Sequence, residues 1–117
     1  MVHEEKKVAK IVEELTIYFF ANGADRMNSG IERNDDQIRI TFRSNYLPEC
    51  EHSIHTLEKY LSEPKNAAIE DIYWELAGSG DPGESNQLLL IGMMVDRYEI
   101  KKYENEVELI LYKKLLL

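Results

Sequence analysis

Two hydrophobic periods alternate along this chain, and together they restrict it to folds that stack helices on a sheet. Val8, Ile11, Val12, Leu15 and Phe19 recur at helical spacing, with Glu4, Glu5, Lys6, Lys7, Lys10, Glu13 and Glu14 filling most of the positions between them. This predicts a first helix over residues 3–21, ended by Asn22-Gly23, a pair that tolerates left-handed backbone. Ile17 and Phe20 widen the apolar stripe, so the helix is expected to be covered on more than one side. The period then changes to two. Met27, Ser29 and Ile31 alternate with polar residues, Asn34-Asp35-Asp36 makes a turn, and Ile38, Ile40 and Phe42 alternate with Gln37, Arg39, Thr41 and Arg43. That pattern predicts a hairpin with one wet face.

Pro48 suits a helix start, with Glu49 and Glu51 in the first turn where the helix dipole favours carboxylates. Ile54, Leu57 and Leu61 form its apolar stripe and Pro64 marks its end. A third helix is predicted over 67–76, with Ile69, Ile72, Tyr73 and Leu76 inward and Gly78 as its stop. Residues 78–84 (GSGDPGE) form a loop by composition. Ser85 or Asn86 can cap a fourth helix reaching about Val95. Tyr98 and Ile100 lead a strand, Glu104-Asn105 turns, and Val107, Leu109 and Leu111 give the last strand. The expected architecture is α+β: a two-layer sandwich with a four-stranded mixed sheet and helices on one face. At 117 residues the chain is expected to form a single domain, 1–117.

Composition narrows the function classes. The net charge is -8, which opposes binding to nucleic-acid backbones and anionic membranes. Cys50 stands alone, so no intrachain disulfide is possible. The opening MVHEEKKVAK is too charged to read as a signal peptide, and the longest apolar run, residues 88–95, is far too short to cross a bilayer. A cytoplasmic protein is expected.

Two segments carry a resemblance. Residues 14–24 (ELTIYFFANGA) and 85–96 (SNQLLLIGMMVD), with the order of elements, resemble the histidine-kinase-like ATPases, the GHKL group, and most of all its compact anti-sigma-factor branch. The first helix of that family reads E-L-x-x-N-A-x-x-H-G-A. Glu14, Leu15, Gly23 and Ala24 fall in register, while Tyr18 stands at the magnesium-binding Asn and Asn22 at the His. The family's glycine-rich loop and following helix read G-x-G-L-x-I-V-x-x-L-x-D. Leu88, Leu90, Ile91, Met94 and Asp96 fit, and Ser85 and Gln87 replace the two glycines. The family's D-x-G-x-G gives way to Ser44-Asn45-Tyr46-Leu47-Pro48.

The resemblance therefore implies the fold without its chemistry. Magnesium requires oxygen ligands in near-octahedral geometry, and a phenol is a poor, bulky substitute for an amide oxygen. Phosphates need closely approached backbone N–H groups, which glycine permits. The positions Glu14, Tyr18, Asn22, Asn45, Ser85 and Gln87 are read as a vestigial pocket with no cofactor.

Other chemistry is thinner still. The loop 78–84 has no Lys followed by Ser or Thr in phosphate-loop spacing, and Asp81 and Glu84 would repel an anion. Cys50, His52, His55 and Glu58 lack the three or four convergent ligands a transition metal needs. No G-x-S-x-G or Cys/His signature is present. Trp74 reads equally as core edge or binding surface. On the last strand, Ile110 and Tyr112 fall on the face that should be wet, and Leu115 begins an apolar tail. These three are the candidate protein contact. The expected function is non-catalytic: a protein-binding or regulatory module whose partner is another protein or a second copy of itself, with no nucleic acid and no membrane. The alternative is a small-ligand or nucleotide binder that keeps an altered pocket.

Overall fold

The computed structural model describes residues 4–62, 91–92 and 94–115. The predicted third helix, the loop 78–84, Trp74, Ser85, Gln87, Leu88, Leu90 and the end of the tail lie outside them. The described elements run α1 (Glu4–Ala21), β1 (Met27–Arg33), β2 (Gln37–Asn45), a 3-10 turn (Pro48–Cys50), α2 (Glu51–Leu61), β3 (Arg97–Tyr103) and β4 (Glu106–Lys114). Ile91, Gly92 and Met94 are also helical, as the predicted fourth helix requires.

The fold is α+β. The four strands form one sheet in the order β1-β2-β4-β3, and every neighbouring pair is antiparallel. A mixed sheet was expected because helices separate the two hairpins, an arrangement that commonly brings parallel strands together. Here β2 and β3 do run the same way, but β4 inserts between them. The parallel relation is real, yet no parallel pair is hydrogen-bonded.

One face of the sheet is covered. Ile38, Ile40 and Phe42 of β2 and Val107, Leu109 and Leu111 of β4 are buried. They meet Val8, Ile11, Leu15 and Phe19 of α1, Ile54, Leu57 and Leu61 of α2, and Ile91, Met94 and Val95 in a single core. The Phe19 and Phe42 rings stack with centroids 5.5 Å apart. Edge strand β1 contributes little, with only Met27 partly buried, and Ile31 is 54% exposed.

The α1 terminus follows from its sequence. Gly23 has φ 86, its N–H donates to Phe20 O at 3.1 Å, and the Ala24 N–H donates to Phe19 O at 3.0 Å. This is the Schellman pattern, in which a left-handed residue lets two orphan carbonyls find donors. Asn34 closes the first hairpin by accepting the Asp36 and Gln37 N–H groups on its Oδ1. Asn105, at φ 57, closes the second.

Gly92 marks a close approach. A Cβ built there would run into the backbone carbonyl of Tyr60 and lie 3.3 Å from Leu61 Cα, so the backbone at Gly92 lies directly against that of α2. Gly92→Ala should cost about 1–3 kcal/mol, because backbone on both sides resists the shift. A chemical-denaturation midpoint equal to that of the parent would show the contact to be looser than this.

Candidate functional site

Of the residues that carry the family resemblance, Glu14 and Tyr18 lie in the second half of α1, Asn22 directly follows it and Asn45 ends β2. Tyr18 points from α1 toward α2, and its hydroxyl donates to Ser53 O at 2.6 Å. Burial pushes the phenol above its usual range, partly offset by that hydrogen bond. Asn22 donates through Nδ2 to Tyr18 O at 2.8 Å, and its own carbonyl accepts the Leu47 N–H. Asn45 Oδ1 accepts the N–H groups of Asp25 and Arg26, each at 3.1 Å. Its Nδ2 donates to Asp25 Oδ1 at 2.6 Å. Glu14 is buried, with Lys10 Nζ 2.9 Å from its carboxylate. Tyr18 thus ties α1 to α2 and Asn45 ties the end of β2 to residues 25 and 26, whereas the Lys10–Glu14 and Asn22–Tyr18 contacts lie within α1 and its end.

Cys50 is a half-buried free thiol. His55 Nδ1 lies 3.4 Å from Lys102 Nζ, which turns it toward β3. Among the described residues no group of three or more His, Cys, Asp or Glu side chains could hold a metal ion. No helix among them is long and apolar enough to cross a membrane.

The other face of the sheet, which no described element covers, has a definite order. Cross-strand partners share a face, so the register arranges it in rows. Glu32, Arg39, Tyr112 and Arg97 form one row; Gly30, Thr41, Ile110 and Glu99 the next; Asn28, Arg43, Glu108 and Lys101 the third; Asn45, Glu106 and Tyr103 the last. Charge pairs run both within and between the rows. Arg39 Nη2 donates to Glu32 Oε1 at 2.6 Å, and Arg43 Nε donates to Glu106 Oε1 at 2.9 Å. The Arg97 guanidinium stacks 4.0 Å from the Tyr112 ring centroid and Arg43 4.8 Å from that of Tyr103, distances at which cation–π attraction operates. The Arg43 hydrogen bond holds Glu106 below the usual carboxylate range. A shallow depression lined by Gln37, Asp96, Arg97, Tyr112 and Lys114 lies at one end of the face.

Ile110 and Tyr112 thus lie together on the open face, both half-buried. Leu115 does not join them. It is half-buried against the core, on the helix-covered side, and its N–H donates to Asp36 O at 2.9 Å. The period of two explains the split, since residue 115 has the parity of Leu109 and Leu111. Sequence reasoning put Arg43 on the wet face of the first hairpin but did not single out Arg97 and Tyr103 as its neighbours on this face. The signal was present, because they alternate with inward residues on β2 and β3, but only the strand order makes them neighbours.

No family model, curated protein or solved structure matches this chain.

Proposed function

We propose that this chain is a non-catalytic protein-binding module on a degenerate GHKL-like scaffold, and that the uncovered sheet face receives the partner. The observation that carries this reading is the Tyr18–Ser53 hydrogen bond. It ties α1 to α2 at the position where a metal-binding amide would stand in an active relative. A side chain engaged in that way is not offered to a ligand. The open face has what a protein interface uses: half-buried apolar and aromatic groups at its centre, with arginines and carboxylates around them. Its cations and carboxylates are nearly balanced, although the chain as a whole carries -8. A partner therefore meets little net repulsion there.

Two measurements test this. Calorimetry with ATP or ADP and magnesium should give no saturable heat; micromolar affinity that depends on magnesium would favour a retained nucleotide pocket instead. The second is recovery of the protein from its native cell extract, with bound proteins identified by mass spectrometry. A specific partner should be lost with Ile110→Lys combined with Tyr112→Glu, while the melting temperature is kept. A partner retained by that variant would move the contact away from this face.

A further inference from the structure

The two edges of the sheet are built differently. β3 carries charge at most of its positions, with Arg97, Glu99, Lys101 and Lys102 along it, and such an edge discourages strand-to-strand pairing. β1 has an uncharged centre, Asn28-Ser29-Gly30-Ile31, and contains no Lys, Pro or bulge. Among the described residues only β2 pairs with it.

The ladder phase shows which backbone groups face the free side. Asn34 N–H donates to Gln37 O at 3.0 Å, and Asn45 N–H donates to Arg26 O at 3.2 Å. The even-numbered residues between these two bonds therefore point their N–H and C=O groups at β2. Met27, Ser29, Ile31 and Arg33 point theirs away from the sheet.

Gly30 supplies a second, independent observation. It does not take the left-handed conformation, the only positive-φ glycine described being Gly23. A Cβ built at residue 30 would meet nothing within 4 Å. Among the described residues nothing gives a reason for glycine here, and glycine within a strand weakens it and often marks a place where another backbone comes close.

We propose that β1 is a self-association edge: two copies of the chain pair their Met27–Arg33 strands antiparallel about a two-fold axis at Gly30, joining two four-stranded sheets into one. In that register Ser29 faces Ile31 of the second copy and Met27 faces Arg33, both as hydrogen-bonded pairs. All the outward backbone groups of the strand then find partners. The two Gly30 residues meet at the axis as a non-hydrogen-bonded pair, where Cα atoms approach to about 4.5 Å. Without side chains, two identical positions do not compete for the same space. Charge is self-complementary: Glu32 falls opposite Asn28 and Arg33 opposite Met27, so no like charges are opposed. The two Ile31 side chains lie diagonally across the axis, within reach of each other. This contact is separate from the open sheet face and does not depend on it.

Sedimentation of the full chain over a range of concentrations should show a monomer–dimer equilibrium. Ile31→Lys should weaken it roughly tenfold or more, by placing two ammonium groups diagonally across the axis. The melting point of the dilute monomer should stay unchanged, since Ile31 is mostly exposed there. In a Cys50→Ser background, Gly30→Cys should form a covalent dimer under mild oxidation, whereas Asn28→Cys, held far from its counterpart, should not. A strict monomer at every concentration overturns the proposal. So does a dimer indifferent to Ile31→Lys, or one broken only by Ile110→Lys with Tyr112→Glu, which would assign self-association to the sheet face. Equal cross-linking at residues 28 and 30 overturns the register and the axis together.

Discussion

Leu15→Asp should not fold. Leu15 is fully buried, in the middle of the α1 stripe between Ile11 and Phe19. A carboxylate at that position has no cation or donor built to receive it. Leaving it ionised and unpaired costs several kcal/mol, and neutralising it by protonation also costs free energy at neutral pH. The apolar contacts of the leucine are lost in addition, about 2–5 kcal/mol for a large-to-small change in a core. A domain of this size has only about 5–15 kcal/mol to lose. Circular dichroism should show no cooperative thermal transition. A cooperative melt near the parent temperature would mean that α1 does not bury this stripe in solution.

The second large effect is expected at Lys113. Its side chain is 1% exposed, and it lies on β4 in line with Val107, Leu109 and Leu111. Its Nζ donates to Met94 O at 2.8 Å and lies 3.2 Å from Glu4 Oε2. Glu4 also lies 3.8 Å from Lys7, which is buried too. One ammonium group thus joins the end of β4, the start of α1 and the backbone at Met94. Lys113→Ala removes a buried charge from its partners and leaves the space of a long stem unfilled. The cost should be about 3–5 kcal/mol, a drop in melting point on the order of 10–20 °C. Lys113→Met keeps the stem and loses the charge, so it should fall between the alanine variant and the parent. An alanine variant that melts within a few degrees of the parent would show that the ammonium contributes nothing net.

These two residues also show how far the sequence could be read. Leu15 is legible because helical periodicity is a local property: neighbours three and four residues apart define the face, whatever that face later meets. Lys113 is not legible. By period it belongs inside, by type it belongs outside, and only the proximity of Glu4 and Met94 reconciles the two. The candidate site divides in the same way. Ile110 and Tyr112 could be placed on the wet face from alternation alone. Leu115 was grouped with them by composition, and its parity sends it to the other side. Tyr18 could be singled out from the sequence, but its partner Ser53 lies 35 residues away and has no motif of its own.

From the sequence alone come the α+β class, the bounds of α1 to within a residue, the two hairpins and their Asn-bearing turns. All of these rest on interactions within a few positions along the chain. The tertiary structure alone decided that β4 inserts between β2 and β3, which turned an expected mixed sheet into an antiparallel one. Among the described elements it also left β1 at the edge of the sheet, set arginines beside tyrosines across the face away from the helices, and engaged Tyr18 and Asn45 in bonds between elements. Each of these is a pairing between distant segments. Strand order is chosen by which apolar faces bury together and which backbone ladders close. Local hydrophobic periods are the same for every order that keeps those faces inside.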